Sequence, residues 1–209
     1  MRKTISLLTA AVALAGAASV QAYQAGDMIV RGGVVTVEPQ KTEADYFLKK
    51  DTQLGLNFQY MLSNTFGLEL LAATPFTHKV TQSGISGKVV GEVKHLPPTL
   101  SAVFYPLDAS SPIQPYFGAG LNYTMILDES LNKNGKEADF KKLEVADSFG
   151  FATQVGVDYI LPNNVILNAQ IRHININTSA TLTDKDGDKV RAYLDVDPTV
   201  YMIGVGYKF

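Results

Sequence analysis

The sequence predicts an all-β fold: an eight-stranded antiparallel transmembrane β-barrel with short periplasmic turns and long extracellular loops. Three observations predict it. Eight segments alternate apolar and small polar residues with period two, the connections between them alternate short and long, and the chain ends on an apolar row. Counting back in twos from Phe209 gives Tyr207, Val205, Ile203 and Tyr201, with Lys208, Gly206, Gly204 and Met202 between them. An aromatic row that runs to the last carboxylate, opposite two glycines, suits a strand with lipid on its greasy side.

The first residues carry an address rather than a strand. Arg2 and Lys3 precede the apolar run Ile5 to Ala18 and the small-residue exit Val20-Gln21-Ala22, so residues 1–22 are expected to be a cleaved secretory signal peptide and 23–209 the single barrel domain. A retained membrane helix needs about 20 apolar residues without such an exit, and this run is shorter.

The spacing predicts strands over about Asp27–Val37, Thr52–Met61, Phe66–Thr77, Val93–Tyr105, Gln114–Leu127, Asp147–Leu161, Val165–Asn177 and Val190–Phe209. In the second, Leu54, Leu56, Phe58 and Tyr60 share one face; Gln53, Gly55, Asn57 and Gln59 share the other. The third alternates Phe66, Leu68, Leu70 and Ala72 with Gly67, Glu69, Leu71 and Ala73. The fifth sets Phe117, Ala119, Leu121 and Tyr123 against Gly118, Gly120 and Asn122, and the sixth sets Phe149, Phe151, Val155, Val157 and Tyr159 against Ser148, Gly150, Gln154, Gly156 and Asp158. A water-exposed sheet face would favour Lys, Glu and Thr. Gly, Ala, Ser, Asn and Gln fit inside a narrow closed barrel. In the seventh segment Leu167, Ala169, Ile171 and His173 share a face while Ile174 and Ile176 fall opposite, which leaves open a bulge near Arg172 or His173 or a strand end leaving the bilayer. Connections at 62–65, 106–113 and 162–164 are short; those at 38–51, 78–92, 128–146 and 178–189 are long, which places both termini on the periplasmic rim.

Composition narrows the chemistry. Loss of Arg2 and Lys3 takes the formal charge from −2 to −4, and nothing suggests a nucleic-acid partner. Cys is 0, so there is no disulfide framework. The three histidines, His78, His95 and His173, form no recognisable Ser/His/Asp spacing, so no enzyme activity and no cofactor are expected. His78 and His95 could face each other across the second hairpin, but two histidines without fixed ligand spacing make a poor metal site, and paired rim residues are the better reading.

Particular stretches resemble the OmpW family of small outer-membrane proteins: Gln53 to Tyr60, Glu69-Leu70-Leu71-Ala72-Ala73-Thr74-Pro75-Phe76, His95-Leu96-Pro97-Pro98-Thr99-Leu100, Pro115 to Gly120, Gln154 to Tyr159 and Gly206 to Phe209. The resemblance spans the whole expected mature chain. It implies an eight-stranded Gram-negative outer-membrane barrel in lipid, tied to passage of small, mainly hydrophobic molecules through a loop funnel and sideways through the wall. Leu71 resembles part of a hydrophobic constriction that faces an aromatic from the seventh strand. The matching position here is Arg172, which favours a closed lumen.

Elementary physics restricts the mechanism further. Side chains nearly fill an eight-stranded barrel, so an open pore is not expected. Arg31, Gln53, Asn57, Gln59, Glu69, Asn122, Gln154, Asp158, Asn168, Gln170 and Arg172 point inward as a polar plug. Among them Arg31, Glu69, Asp158 and Arg172 read as an interior salt-bridge cluster, because buried charge needs partners. Pro97 and Pro98 interrupt the fourth segment and cannot donate to a ladder, which on the residues alone reads as a plain strand end or rim bulge; the family resemblance favours a wall that opens to lipid there and makes them the candidate lateral gate. Phe47, Leu48 and Phe140 are the candidate funnel residues, whereas Ile126, Leu127, Val89 and Val90 read as packing in barrel extensions. Tyr207 and Phe209 are the expected assembly signal, read by the barrel-insertion machinery through the C-terminal strand. The rival to transport is a plugged structural barrel or surface receptor.

Overall fold

The structure, a computed structural model, describes residues 22–39, 46–48, 50–82, 88–137 and 139–209. The expected leader, apart from Ala22, lies outside the described residues. The described chain forms β1 (Met28–Glu38), β2 (Tyr46–Leu48), β3 (Asp51–Met61), β4 (Phe66–Ala73), β5 (Phe76–Gln82), β6 (Lys88–Leu96), β7 (Thr99–Phe104) and β8 (Ile113–Leu131). A short helix α1 (Lys133–Glu137) follows, then β9 (Phe140–Val145), β10 (Ser148–Ile160), β11 (Val165–Ile174), β12 (Asn177–Asp184), β13 (Lys189–Asp195) and β14 (Thr199–Lys208).

Eight of these close a ring. The order β10-β11-β14-β1-β3-β4-β7-β8 returns to β10 through the β8–β10 pairing, every pair antiparallel. Closure leaves the wall without an edge, which lets the backbone satisfy itself in hydrocarbon. The period-two pattern sorts the side chains as expected: Leu54, Leu56, Phe58, Tyr60, Phe117, Leu121, Phe151 and Ile203 stand exposed on the outside, while Arg31, Asn57, Glu69 and Asp158 are wholly buried inside. Aromatic residues mark both levels of the band. Phe66, Phe104, Phe117, Tyr207 and Phe209 lie toward the rim of the short turns, and Tyr123, Phe149 and Tyr201 toward the opposite rim.

Above that band the architecture departs from the expected eight uninterrupted strands. Four predicted strands divide at Thr74–Pro75, Pro97–Pro98, Asn175–Ile176 and Val196–Pro198. Three of those breaks contain proline, which cannot donate to a ladder. The expected long loops are therefore largely β structure: β2, β5 and β6 continue one side of the wall, with β6 pairing the upper part of β8, and β13, β12 and β9 form a separate three-stranded sheet. The irregularity in the seventh segment is not a bulge. β11 keeps unbroken register with β10 and β14 to its end, and Ile174 and Ile176 are buried in line with Arg172. The apolar pair follows the polar run because the interior changes character there.

Candidate functional site

The barrel interior is built in three layers. At the short-turn rim, Tyr23, Ile29, Met61, Val103, Tyr105, Tyr116, Ile160 and Ile166 make an apolar floor. Tyr105 packs between Tyr23, edge-on at 4.7 Å, and Tyr116, tilted at 5.3 Å. The Tyr23 and Tyr105 hydroxyls point to the charges above: Tyr23 donates to Asp158 at 2.6 Å, and Arg31 donates to Tyr105 at 2.9 Å. Gly156 is required here, since a Cβ on it would lie 2.3 Å from the Tyr116 ring.

The middle layer is an ion-pair network with no water-exposed member. Arg31 grips Asp158 through Nη2 at 2.5 Å and Nε at 3.2 Å, and donates to Gln59 at 3.0 Å. Glu69 receives Arg172 at 2.5 Å, Gln154 at 2.9 Å and the more distant Arg31 at 3.8 Å. Arg172 also donates to Gln154. Two cations and two anions balance, so the layer is neutral and its charges are matched inside a low-dielectric site. Each of Arg31, Glu69, Asp158 and Arg172 is at most 1% exposed. No solute can pass straight down through it without breaking these pairs.

Above the charges the lumen turns apolar. Leu71 packs with Val35, Val37, Phe76, Ala152, Ile174, Ile176, Val200 and Met202 as a collar. Over the collar lies a cavity of about 90 Å³ between the β5–β6 extension and the three-stranded sheet, lined by Val37, Val93, Ile126, Leu143, Ile176 and Leu182 among others. Phe76, His78 and His95 stack along one wall, with the two imidazoles 4.9 Å apart and Phe76 5.8 Å from His95. His95 sits above the membrane band. Burial, with the neighbouring His78 adding to it, pushes its pKa down to about 3, so the imidazole stays neutral.

Beside the collar the wall is incomplete. β4 last pairs β7 at Leu71↔Thr99, and β5 first pairs β6 at Phe76↔His95. The bond from Tyr105 N to Thr65 O sets the phase of the β4–β7 ladder, so the next bonded pair would join Ala73 to Pro97, which has no N–H to give. Ala72–Pro75 therefore face Leu96–Pro98 without a ladder. On its other edge the same segment is secured: Tyr123 N donates to Pro98 O at 3.1 Å, and the buried Asn122 amide donates to Pro97 O, Pro98 O and Thr99 Oγ1 at 3.1, 3.0 and 3.0 Å. The β3 edge is tied beyond its last pair by Thr74 N to Leu54 O at 3.0 Å and Thr77 N to Asp51 Oδ2 at 3.0 Å. On the lipid side, Gly32, Val34, Leu54, Leu56, Ala72 and Thr74 border a shallow apolar recess next to this gap.

The structure thus brings Arg31, Glu69, Asp158 and Arg172 into one network, sets Leu71 in the collar, and puts Pro97 and Pro98 at the break. Phe140 does not line the cavity; it packs behind it on Val93, Leu143 and Leu182. Phe47 and Leu48 belong to β2, whose side chains lie outside the described residues, as do those of Val89 and Val90. Ile126, expected only to pack, lines the cavity. Tyr207 and Phe209 stand on the lipid face with rings 4.9 Å apart, and Phe209 N donates to Met28 O at 2.8 Å. Sequence reasoning missed the role of Asn122 as the tie to both prolines, and missed Tyr23, Tyr105 and Tyr116 as the floor. Parity with Phe117 was the available signal for Tyr116.

Comparison with known proteins agrees with this architecture. The model of the OmpW family matches residues 24–209. Outer membrane protein W of Vibrio cholerae serotype O1 is 41% identical over 221 residues, covering 100% of both chains. The crystal structure of the outer membrane protein OprG from Pseudomonas aeruginosa matches with a TM-score of 0.85 at 40% identity, covering 91% of this chain and 99% of that one. A more distant relative, the dibenzothiophene metabolism operon protein PahQ of Pseudomonas aeruginosa, is 26% identical over 157 residues, which is 75% of this chain and 71% of PahQ. The closed barrel, its lipid-facing surface and these relatives place the protein in the Gram-negative outer membrane, and the chain belongs to the OmpW family.

Proposed function

We propose that the protein facilitates passage of small, mainly hydrophobic molecules, which enter the apolar cavity from outside and leave sideways through the wall between Ala72–Pro75 and Leu96–Pro98. The observation that carries this reading is the stacking of an apolar cavity and collar directly on a sealed ion-pair network, with an unladdered stretch of wall at collar height. A solute that fits the cavity has no aqueous way down, and the lipid recess beside Leu54 and Leu56 offers it an apolar destination. The name of the relative PahQ associates that protein with dibenzothiophene metabolism, a compound of the expected kind. Pro97 and Pro98, with Pro75 opposite, form the gate, in which Pro97 withholds a donor from the gap, Asn122 holds the hinge side closed, and Leu71 forms part of the constriction. Residues 1–22 serve as the export signal, and Tyr207 and Phe209 present the C-terminal strand to the insertion machinery. Phe47 and Leu48 are the proposed funnel residues, and Phe140 supports the cavity wall from behind.

The test is solute influx into liposomes carrying the mature protein, with the Pro97→Ala/Pro98→Ala variant alongside. Selective hydrophobic uptake that falls in the variant supports the reading. No uptake by either protein would favour a plugged structural barrel or surface receptor, the alternative for which the sealed network also speaks.

A further inference from the structure

The cavity is not uniformly apolar. On three adjacent strands, β6, β8 and β10, inward side chains at one level are polar: His95 lies across from Ile126, and Ser148 pairs in register with Thr124. Ser148 and Thr124 are directly opposed, which holds their Cβ atoms about 5 Å apart, and His95, diagonal to Thr124 on the other side of β8, lines the same cavity. His95 and Ser148 are 8% and 4% exposed, yet His95 Nδ1 and Ser148 Oγ have no hydrogen-bond partner within the protein. Thr124 donates its hydroxyl hydrogen to Asn122 Oδ1 at 2.7 Å, which leaves its oxygen available as an acceptor. The facing wall is mainly hydrocarbon, with Ile176, Ala180, Leu182 and Val196 around Thr178, whose hydroxyl donates to Ala146 O; His78 lines the space beside His95, and among the described residues no lysine, arginine, aspartate or glutamate lines it.

Buried polar atoms without partners are costly, so a site that keeps two of them together is built to be completed by a ligand group. We infer that the cavity selects solutes carrying one neutral hydrogen-bonding head, such as a phenol, alcohol or ketone, on an otherwise apolar body. The head meets His95, Thr124 and Ser148, and the body lies against the β12–β13 sheet. A pure hydrocarbon leaves the patch unpartnered. A carboxylate would lose its hydration with no cation to replace it. The neutral state of His95 fits this choice. This inference deepens the proposed transport function and rests on the cavity being the solute's entry.

Toluene, phenol and benzoate share a ring and differ in the head, which makes them suitable probes. Each is titrated against the mature protein in lipid nanodiscs, with the methyl resonances of Ile126 and Ile176 as readout and free ligand corrected for partition into lipid. Phenol is expected to bind about tenfold more tightly than toluene, the effect of one to two net hydrogen bonds, and benzoate more weakly than either. Ser148→Ala, and separately His95→Phe, which keeps the ring stack, should bring phenol down toward toluene while leaving toluene unchanged. Equal binding of phenol and toluene, tight binding of benzoate, or a phenol preference that survives both substitutions would overturn the inference while leaving the cavity as an entry site. Failure of all three probes to shift either methyl would overturn the entry site itself.

Discussion

The side-chain amide of Asn122 lies 3.1 Å from the carbonyl oxygen of Pro97, and this bond fastens the segment between β6 and β7 to β8 at the point where its other edge has no ladder. The relationship makes the wall asymmetric: one edge of the double proline is held by a buried donor, the other only by packing. Replacing Asn122 with Leu removes the donor to two carbonyls and to Thr99. Backbone amide exchange at Tyr123 and Thr99 should quicken, with a loss of about 1–3 kcal/mol of local stability. Unchanged exchange at both amides would show that Asn122 does not hold this edge.

The ion-pair network should behave as one buried unit. Asp158→Leu leaves Arg31 its neutral partners and, for a counter-charge, only the 3.8 Å approach to Glu69, and unfolding in urea should show a loss of about 3–5 kcal/mol. Removing both partners, as Arg31→Met with Asp158→Leu, should recover most of that loss, because no uncompensated charge remains. Equal loss in the single and double variants would contradict the pairing.

Acid should loosen the outer part of the barrel. In the unfolded chain an imidazole takes a proton near pH 6.5, whereas His95 in place does so only near 3. Between those values the unfolded state binds more protons, so the contribution of His95 is complete above about 6.5 and is lost as pH falls toward 3. Urea unfolding followed from pH 7.5 to 4 should show a decline that is shallower in His95→Phe. Identical slopes in the two proteins would count against the buried neutral imidazole.

Deletion of Phe209 removes the last backbone bond to Met28 and half of the terminal aromatic pair. The truncated chain should be depleted from the outer-membrane fraction of expressing cells, while full-length protein with Phe209→Tyr should assemble normally. Normal assembly of the truncation would remove the proposed signal.

The sequence made the barrel legible because lipid and a filled lumen impose opposite demands on alternate residues, and Gln154-Val155-Gly156-Val157-Asp158 states both demands in five positions. The charged cluster was readable for the same reason: Arg31, Glu69, Asp158 and Arg172 each fall on the small polar face, and such charges must find one another. The upper architecture was less readable. Period two continues through Phe66–Thr77 and Val190–Phe209 although the chain bends at Pro75 and Pro198, since alternation reports a face and not a direction. Ile126 looked like packing because it stands beside the exposed Leu127, and only the β12–β13 sheet folding over the mouth turns it into a cavity wall. Asn122 read as one more lumen polar group, because its bonds run to carbonyls of Pro97 and Pro98, and carbonyls leave no trace in a sequence.

The most direct measurement of the central claim is influx of a small hydrophobic solute and a small polar solute into liposomes bearing the mature protein, with Pro97→Ala/Pro98→Ala as the paired control. The account predicts uptake of the hydrophobic solute alone, reduced in the variant while the barrel remains folded. Equal hydrophobic influx in both proteins, or passage of the polar solute through the intact barrel, would contradict a lateral route beside a sealed lumen.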